Sequence, residues 1–266
     1  MGPPSTANGH HPHGHKPRHL SAVNSHLVAA CGEFIGTFFF LYFGYAGNLM
    51  AVLQAPDVAL RGGLASTTNI LIALSYGFAL LVNAWAFYRI SGGLFNPAVT
   101  MGLCVAGQLP WMRAAFLVPA QILGSMCAGG LVDVMFPGSV AEVNTVLGFD
   151  TSIAQGVFLE MFFTAQLVFV VLMLAIEKSR DTFLAPVGIG LALFMVLIPG
   201  VFVTGGSLNP VRSFGCAVAG EKFPDYHWIY WVGPGLGAVV AALLYRLAKL
   251  VHYEEANPGQ DAPYEV

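Results

Sequence analysis

Two ten-residue stretches of this chain carry the side chains most able to do chemistry. Ser91-Gly-Gly-Leu-Phe-Asn-Pro-Ala-Val-Thr100 and Thr204-Gly-Gly-Ser-Leu-Asn-Pro-Val-Arg-Ser213 align without a gap. Asn is among the strongest helix N-caps, and Pro suits the first helical position, where no N–H is needed. Asn96-Pro97-Ala98 and Asn209-Pro210-Val211 therefore each read as a helix start. The apolar stretches that follow, Pro97 to Gln108 and Pro210 to Gly220, are too short to cross a bilayer, which takes about 20 residues of helix. They predict two half-helices whose N-termini meet near mid-membrane. Two positive dipole ends aimed at one point would repel cations, hydronium included. The two Asn amides would donate to the oxygen of a passing water and turn its hydrogens outward, which breaks the chain along which a proton hops. The preceding loops would offer backbone carbonyls as acceptors, from Gly92, Gly93, Leu94 and Phe95 and from Gly205, Gly206, Ser207 and Leu208. A lone Asn-Pro is ordinarily a surface turn; two copies in matching places argue against that here.

Glu33, Glu160 and Arg212 fall inside apolar stretches, where ionisable residues are costly and usually functional. Glu33 and Glu160 each open one half of the chain. They could carry protons in a coupled transporter, or accept the backbone N–H groups of the two irregular loops; one per half favours the second role. Arg212 breaks the symmetry, since its counterpart is Val99. One turn into the second half-helix, it reads as a fixed cation in the passage that repels cations and donates to solute; a structural ion pair is the alternative. Cys31, Cys104, Cys127 and Cys216 lack the spacing of a metal or redox site and read as small packing residues. No Ser/His or metal-ligand constellation lies in the apolar segments, so no enzyme, cofactor or bound metal is expected. The His-rich start (His10, His11, His13, His15, His19) could bind metal but reads as a disordered tail.

The rest of the chain must hold these groups. It is 56% hydrophobic and 9% charged over 266 residues, with a mean hydropathy of +0.69. A soluble domain carries about 25% charge, so most of this surface must face lipid, and nothing resembles a basic patch for nucleic acid. Six segments are long and apolar enough to span: Leu27 to Met50, Thr67 to Tyr88, Ala114 to Phe136, Ser152 to Ile176, Phe183 to Val203 and Tyr226 to Leu247. The first 20 residues hold no apolar run fit for a cleaved signal, so targeting is expected to rest on the first internal helix. If both ends share one side, that side holds Lys16, Arg18, Arg89, Arg113, Lys178, Arg180, Arg246 and Lys249 against Arg61 and Lys222 opposite, which places both termini in the cytoplasm. Three spans per half is an odd number, so the halves sit upside down relative to each other, the plan in which interrupted segments mark the solute site. The expected fold is an all-α membrane protein: six transmembrane helices and two re-entrant half-helices in an inverted 3+3 repeat. Residues 1–26 and 253–266 read as disordered cytoplasmic tails, and 27–252 as the channel domain, with halves at about 27–145 and 146–252.

At these residues the chain resembles the aquaporin (major intrinsic protein) family, over essentially everything from about Leu27 to Leu250. The paired Asn-Pro motifs, Glu33, Glu160, Gln121 in the third helix and Arg212 all fall in family positions. The resemblance implies one pore per subunit, a homotetramer in a membrane, most readily the plasma membrane, and a narrow filter at Tyr76, Leu197, Gly206 and Arg212. Strict water channels have Phe and His where this chain has Tyr76 and Leu197, and Ala where it has Val211, whose extra methyls are expected to crowd the point where the half-helices meet. Ser213, Ala217 and the Tyr230-Trp231 pair look like the water-selective branch. Water is the expected solute, hydrogen peroxide a co-substrate, and glycerol or other small neutral solutes a broader alternative. A proton-coupled transporter is the rival from another class. The Glu177-Lys-Ser-Arg-Asp181 loop, Ser179 within it, and the N-terminal tail are places where gating would act.

Overall fold

The computed structural model describes residues 20–55, 66–148, 150–179 and 181–256. The His-rich tail, residues 257–266 of the C-terminal tail, and Lys16, Arg18, Arg61 and Arg180 of the charge census lie outside the described residues. Those described form eight helices: α1 (Ala22–Leu53), α2 (Ser66–Phe87), α3 (Pro97–Ala106), α4 (Trp111–Met135), α5 (Ile153–Val171), α6 (Ala185–Thr204), α7 (Pro210–Ala219) and α8 (Ile229–Leu250). Six are long and apolar enough to cross a membrane, and α3 and α7 are the two half-helices.

The boundaries differ from expectation where local capping overrides hydropathy. Helix α1 starts five residues early, because the Ser21 side chain accepts the Asn24 N–H and carries the helix through polar Asn24, Ser25 and His26. Residues 22–26 are thus helix rather than disordered tail. Ser152 caps α5 through a capping box with Gln155, as Ser/Thr and Gln at this spacing do. Helix α5 then widens into a π-helical turn, Leu172–Ile176, which hydropathy cannot reveal. At the other end, Tyr253–Glu255 form a 3-10 turn rather than unstructured tail. Lys249 bridges Glu254 at 2.5 Å and Glu177 at 3.1 Å, while the Tyr253 hydroxyl donates to Glu177.

Packing follows the repeat. Helix α1 lies along α4 and α5 along α8, while α2 and α6 meet across the pseudo-twofold. Each half-helix docks on the last long helix of the opposite half, α3 on α8 and α7 on α4. A glycine six residues beyond each Asn sits at a close approach, Gly215 against α4 and Gly102 against α5. A Cβ on Gly215 would stand 2.6 Å from the Ser125 carbonyl oxygen, and one on Gly102 would stand 2.6 Å from Val168. The outer surface keeps large apolar side chains exposed, among them Phe43, Val82, Trp85, Phe162 and Leu243; an apolar surface on that scale suits lipid rather than water.

Candidate functional site

Both half-helices begin as their sequences dictate. Asn96 and Asn209 hold extended backbone, and their side-chain oxygens accept the N–H of Ala98 at 2.8 Å and of Val211 at 3.1 Å, with Pro97 and Pro210 at the first helical position. The residue before each Asn is left-handed, Phe95 at φ 51° and Leu208 at φ 53°. A non-glycine residue there costs on the order of 1–3 kcal/mol and persists only where its surroundings enforce it.

Those surroundings are the two buried glutamates. Glu33 Oε1 accepts the Ser91 hydroxyl at 2.6 Å and the Leu94 N–H at 3.0 Å, and Oε2 accepts the Phe95 N–H at 2.7 Å. Glu160 repeats the pattern with the Thr204 hydroxyl at 2.7 Å, the Ser207 N–H at 2.9 Å and the Leu208 N–H at 2.7 Å. Gln121 adds a fourth donor to Glu33 at 2.8 Å. Ser91 and Thr204, which each also accept the N–H two residues on, were not anticipated as partners, although they open the aligned motif and so were visible in it. Both carboxylates are fully buried and lie away from the cavity described below.

The two Asn side chains then cross between the halves. Asn96 Nδ2 donates to the Leu208 carbonyl and Asn209 Nδ2 to the Phe95 carbonyl, each at 2.9 Å. An amide has two N–H donors, so each Asn retains one for the space beside it. That space is a cavity of about 310 Å³ lined by both Asn residues. Of the expected acceptor ladder, Gly92, Gly93, Leu94, Gly206, Ser207 and Leu208 line it, whereas Phe95 and Gly205 do not. The carbonyls of Phe95 and Leu208 are spent on the crossed amides. Val211 is fully buried in the hydrophobic core and does not line the cavity.

Tyr76, Leu197, Gly206 and Arg212 converge at one end of the cavity. The Arg212 guanidinium stacks on the Tyr76 ring, 5.0 Å from its centroid, and Nη1 donates to the Val143 carbonyl at 3.0 Å. Its buried Nε has no hydrogen-bond partner among the described residues, so the guanidinium keeps donors uncommitted within the protein. Leu197 sits where a side chain on Gly206 would be, so this wall is apolar. Ser213 accepts from Thr145 at 2.7 Å and pairs with Ser207 at 2.6 Å, fastening the second loop. Neither Val143 nor Thr145 was foreseeable, because the connection between the halves carries no motif.

At the opposite end the lining is Tyr88, Gln108, Leu109 and Lys178. The Ala175 carbonyl, in the π-helical turn, accepts from both Lys178 Nζ at 2.8 Å and the Tyr88 hydroxyl at 2.9 Å. Adjacent Glu177 faces the other way, toward Tyr245, Lys249 and Tyr253. Partial burial pushes its carboxyl up, but these donors outweigh it and hold the group below the ordinary carboxylate value. Together the arrangement presents a small polar solute with backbone carbonyls, two amides, one cation and one apolar wall around a single cavity.

Comparison with known proteins agrees with this architecture. The model of the family described as "Major intrinsic protein" matches residues 20–245. Probable aquaporin-3 from Gibberella zeae is 73% identical over 93% of this chain and 87% of its own length. Aquaporin-7 from Botryotinia fuckeliana is 51% identical over 93% of this chain, which spans only 55% of that longer relative. The X-ray structure of the aquaglyceroporin from Plasmodium falciparum superposes with a TM-score of 0.73 at 22% identity, covering 86% of this chain and 99% of that one, a likeness of fold. With the matched family model covering most of its length, the chain is a member of the major intrinsic protein family and an integral multi-pass membrane protein.

Proposed function

We propose that this chain is a passive channel that conducts water down osmotic gradients, excludes protons and ions, and admits hydrogen peroxide. The observation that carries the reading is the pair of half-helix N-termini joined by crossed Asn96 and Asn209 amides beside a polar-lined cavity. Each amide keeps one N–H for a passing oxygen, and both helix ends bring positive potential to the same place. Arg212 adds a full positive charge at the constriction. A proton-coupled transporter is less well supported, because Glu33 and Glu160 are buried away from the cavity and already hold several donors each. The Leu197 and Gly206 wall supports peroxide, and it also favours a broader second reading in which glycerol and other small neutral solutes pass.

The family membership and the names of the relatives support this assignment without fixing the solute. Purified protein in liposomes tests it: stopped-flow shrinkage should be faster than in protein-free vesicles without a pH gradient, across a panel of water, peroxide, glycerol and urea. Shrinkage no faster than in empty vesicles defeats the proposal. We further propose a homotetramer in the plasma membrane, with both termini and the Lys178 end of the cavity in the cytoplasm. Arg89, Arg113, Lys178, Arg246 and Lys249 weigh toward that orientation by the positive-inside tendency.

A further inference from the structure

One face of α1 reaches the constriction from behind. Gly44, Tyr45 and Asn48 fall within about 100° of helical arc, and each meets a residue of the constriction without lining the cavity itself. Gly44 makes room for the Tyr76 ring, whose Cδ1 and Cε1 would lie 2.5 Å from any Cβ placed there. The Tyr45 hydroxyl donates to the Arg212 backbone carbonyl at 2.6 Å, and its ring stands edge-on to Tyr76 with centroids 6.4 Å apart. Asn48 Nδ2 approaches the Tyr76 hydroxyl at 3.5 Å. Tyr45 is fully buried and Asn48 nearly so.

We propose that Tyr45 and Asn48 are positioning residues that set the size limit of the constriction, Tyr45 by fixing Arg212 and Asn48 by fixing Tyr76. This inference rests on the channel reading. Arg212 is held at both ends, its guanidinium on the Val143 carbonyl and its backbone on the Tyr45 phenol. A long side chain with several rotors needs both anchors to keep a narrow passage narrow, since a functional group held about 1 Å too loosely loses its discrimination. The Tyr45 tether also joins the halves, because it runs from the first helix of one to the half-helix of the other. The Tyr45 hydroxyl and the Asn48 amide are buried polar groups, and the partners they meet, Arg212 and Tyr76, both belong to the constriction.

The experiment compares wild type, Tyr45→Phe, Asn48→Leu, Tyr76→Phe and the Asn48→Leu/Tyr76→Phe double variant in proteoliposomes. It reads the ratios of peroxide and glycerol permeability to water permeability, which do not depend on how much protein folds or inserts. Tyr45→Phe deletes one hydroxyl and should raise both ratios by a factor of about 2–10, the effect of one buried hydrogen bond on an equilibrium. Asn48→Leu should raise them in the wild-type background and not in the Tyr76→Phe background, where the hydroxyl it holds is gone. Ratios unchanged in Tyr45→Phe overturn the role of Tyr45. An Asn48→Leu effect of equal size in both backgrounds overturns that of Asn48, and this cycle stands even if Tyr45→Phe fails to reconstitute. Wild-type vesicles no more permeable than empty ones would instead defeat the channel reading itself.

Discussion

The guanidinium of Arg212 rests on the ring of Tyr76, its Cζ 5.0 Å from the centroid, so the cation and the aromatic wall of the constriction form one unit. A desolvated contact of this kind adds on the order of 2 kcal/mol to holding the arginine in place. Arg212→Val should remove both the charge and the wall. We expect cation leak to appear, or glycerol permeability to rise relative to water, against the wild type. Unchanged selectivity in ion-flux and solute-shrinkage assays would remove Arg212 from its proposed role.

Leu197 and Gly206 form the apolar side of the same constriction. Leu197→His restores a polar donor and narrows the passage opposite Gly206. Peroxide and glycerol permeability should fall several-fold relative to water, measured on the same vesicles. If the ratios stay level, residue 197 does not face the passing solute.

The glutamates make a different kind of claim. Glu33 accepts four donors and Glu160 three, so replacing either by Gln puts an N–H₂ against N–H or O–H groups and strands at least one of them. Each such loss costs about 1–3 kcal/mol. Glu33→Gln and Glu160→Gln should lower the thermal unfolding midpoint in detergent, with flux per folded channel reduced because Phe95 and Leu208 relax from their left-handed conformation. A midpoint equal to wild type would show that the loops are held by something else.

Glu177 predicts a pH dependence outside the membrane. Its donors hold the folded-state carboxyl below the ordinary value, so its contribution is complete above about pH 4.5, the unfolded value, and is lost as pH falls through the folded one. Hydrogen exchange across residues 245–255 should quicken below that range. Glu177→Gln, which cannot pair with Lys249 as an anion, should show the faster exchange already at neutral pH; exchange rates matching wild type there would dissolve the link between Glu177 and the C-terminal turn.

The fold was legible because its signals are local or repeated. Six apolar runs, two Asn-Pro helix starts and one buried carboxylate per half can each be read from short windows of sequence, and the structure places α3 and α7 within two residues of the expected ends. What stayed hidden depends on geometry between distant segments. Nothing near Tyr45 or Val143 announces that each touches Arg212, 167 and 69 residues away. The π-helical turn at 172–176 was missed because one extra residue in a helix leaves hydropathy unchanged.

The crossed amides of Asn96 and Asn209 have one more consequence. Neither half of the chain can complete its own hydrogen bonding, because the acceptor for each amide belongs to the other. The duplication is therefore no longer two independent modules but a mutually dependent pair, and a change of backbone shape at 95 or 208 is felt first by the partner half. A substitution that shifts the backbone in one half therefore has to be accommodated by the hydrogen-bond geometry of the other.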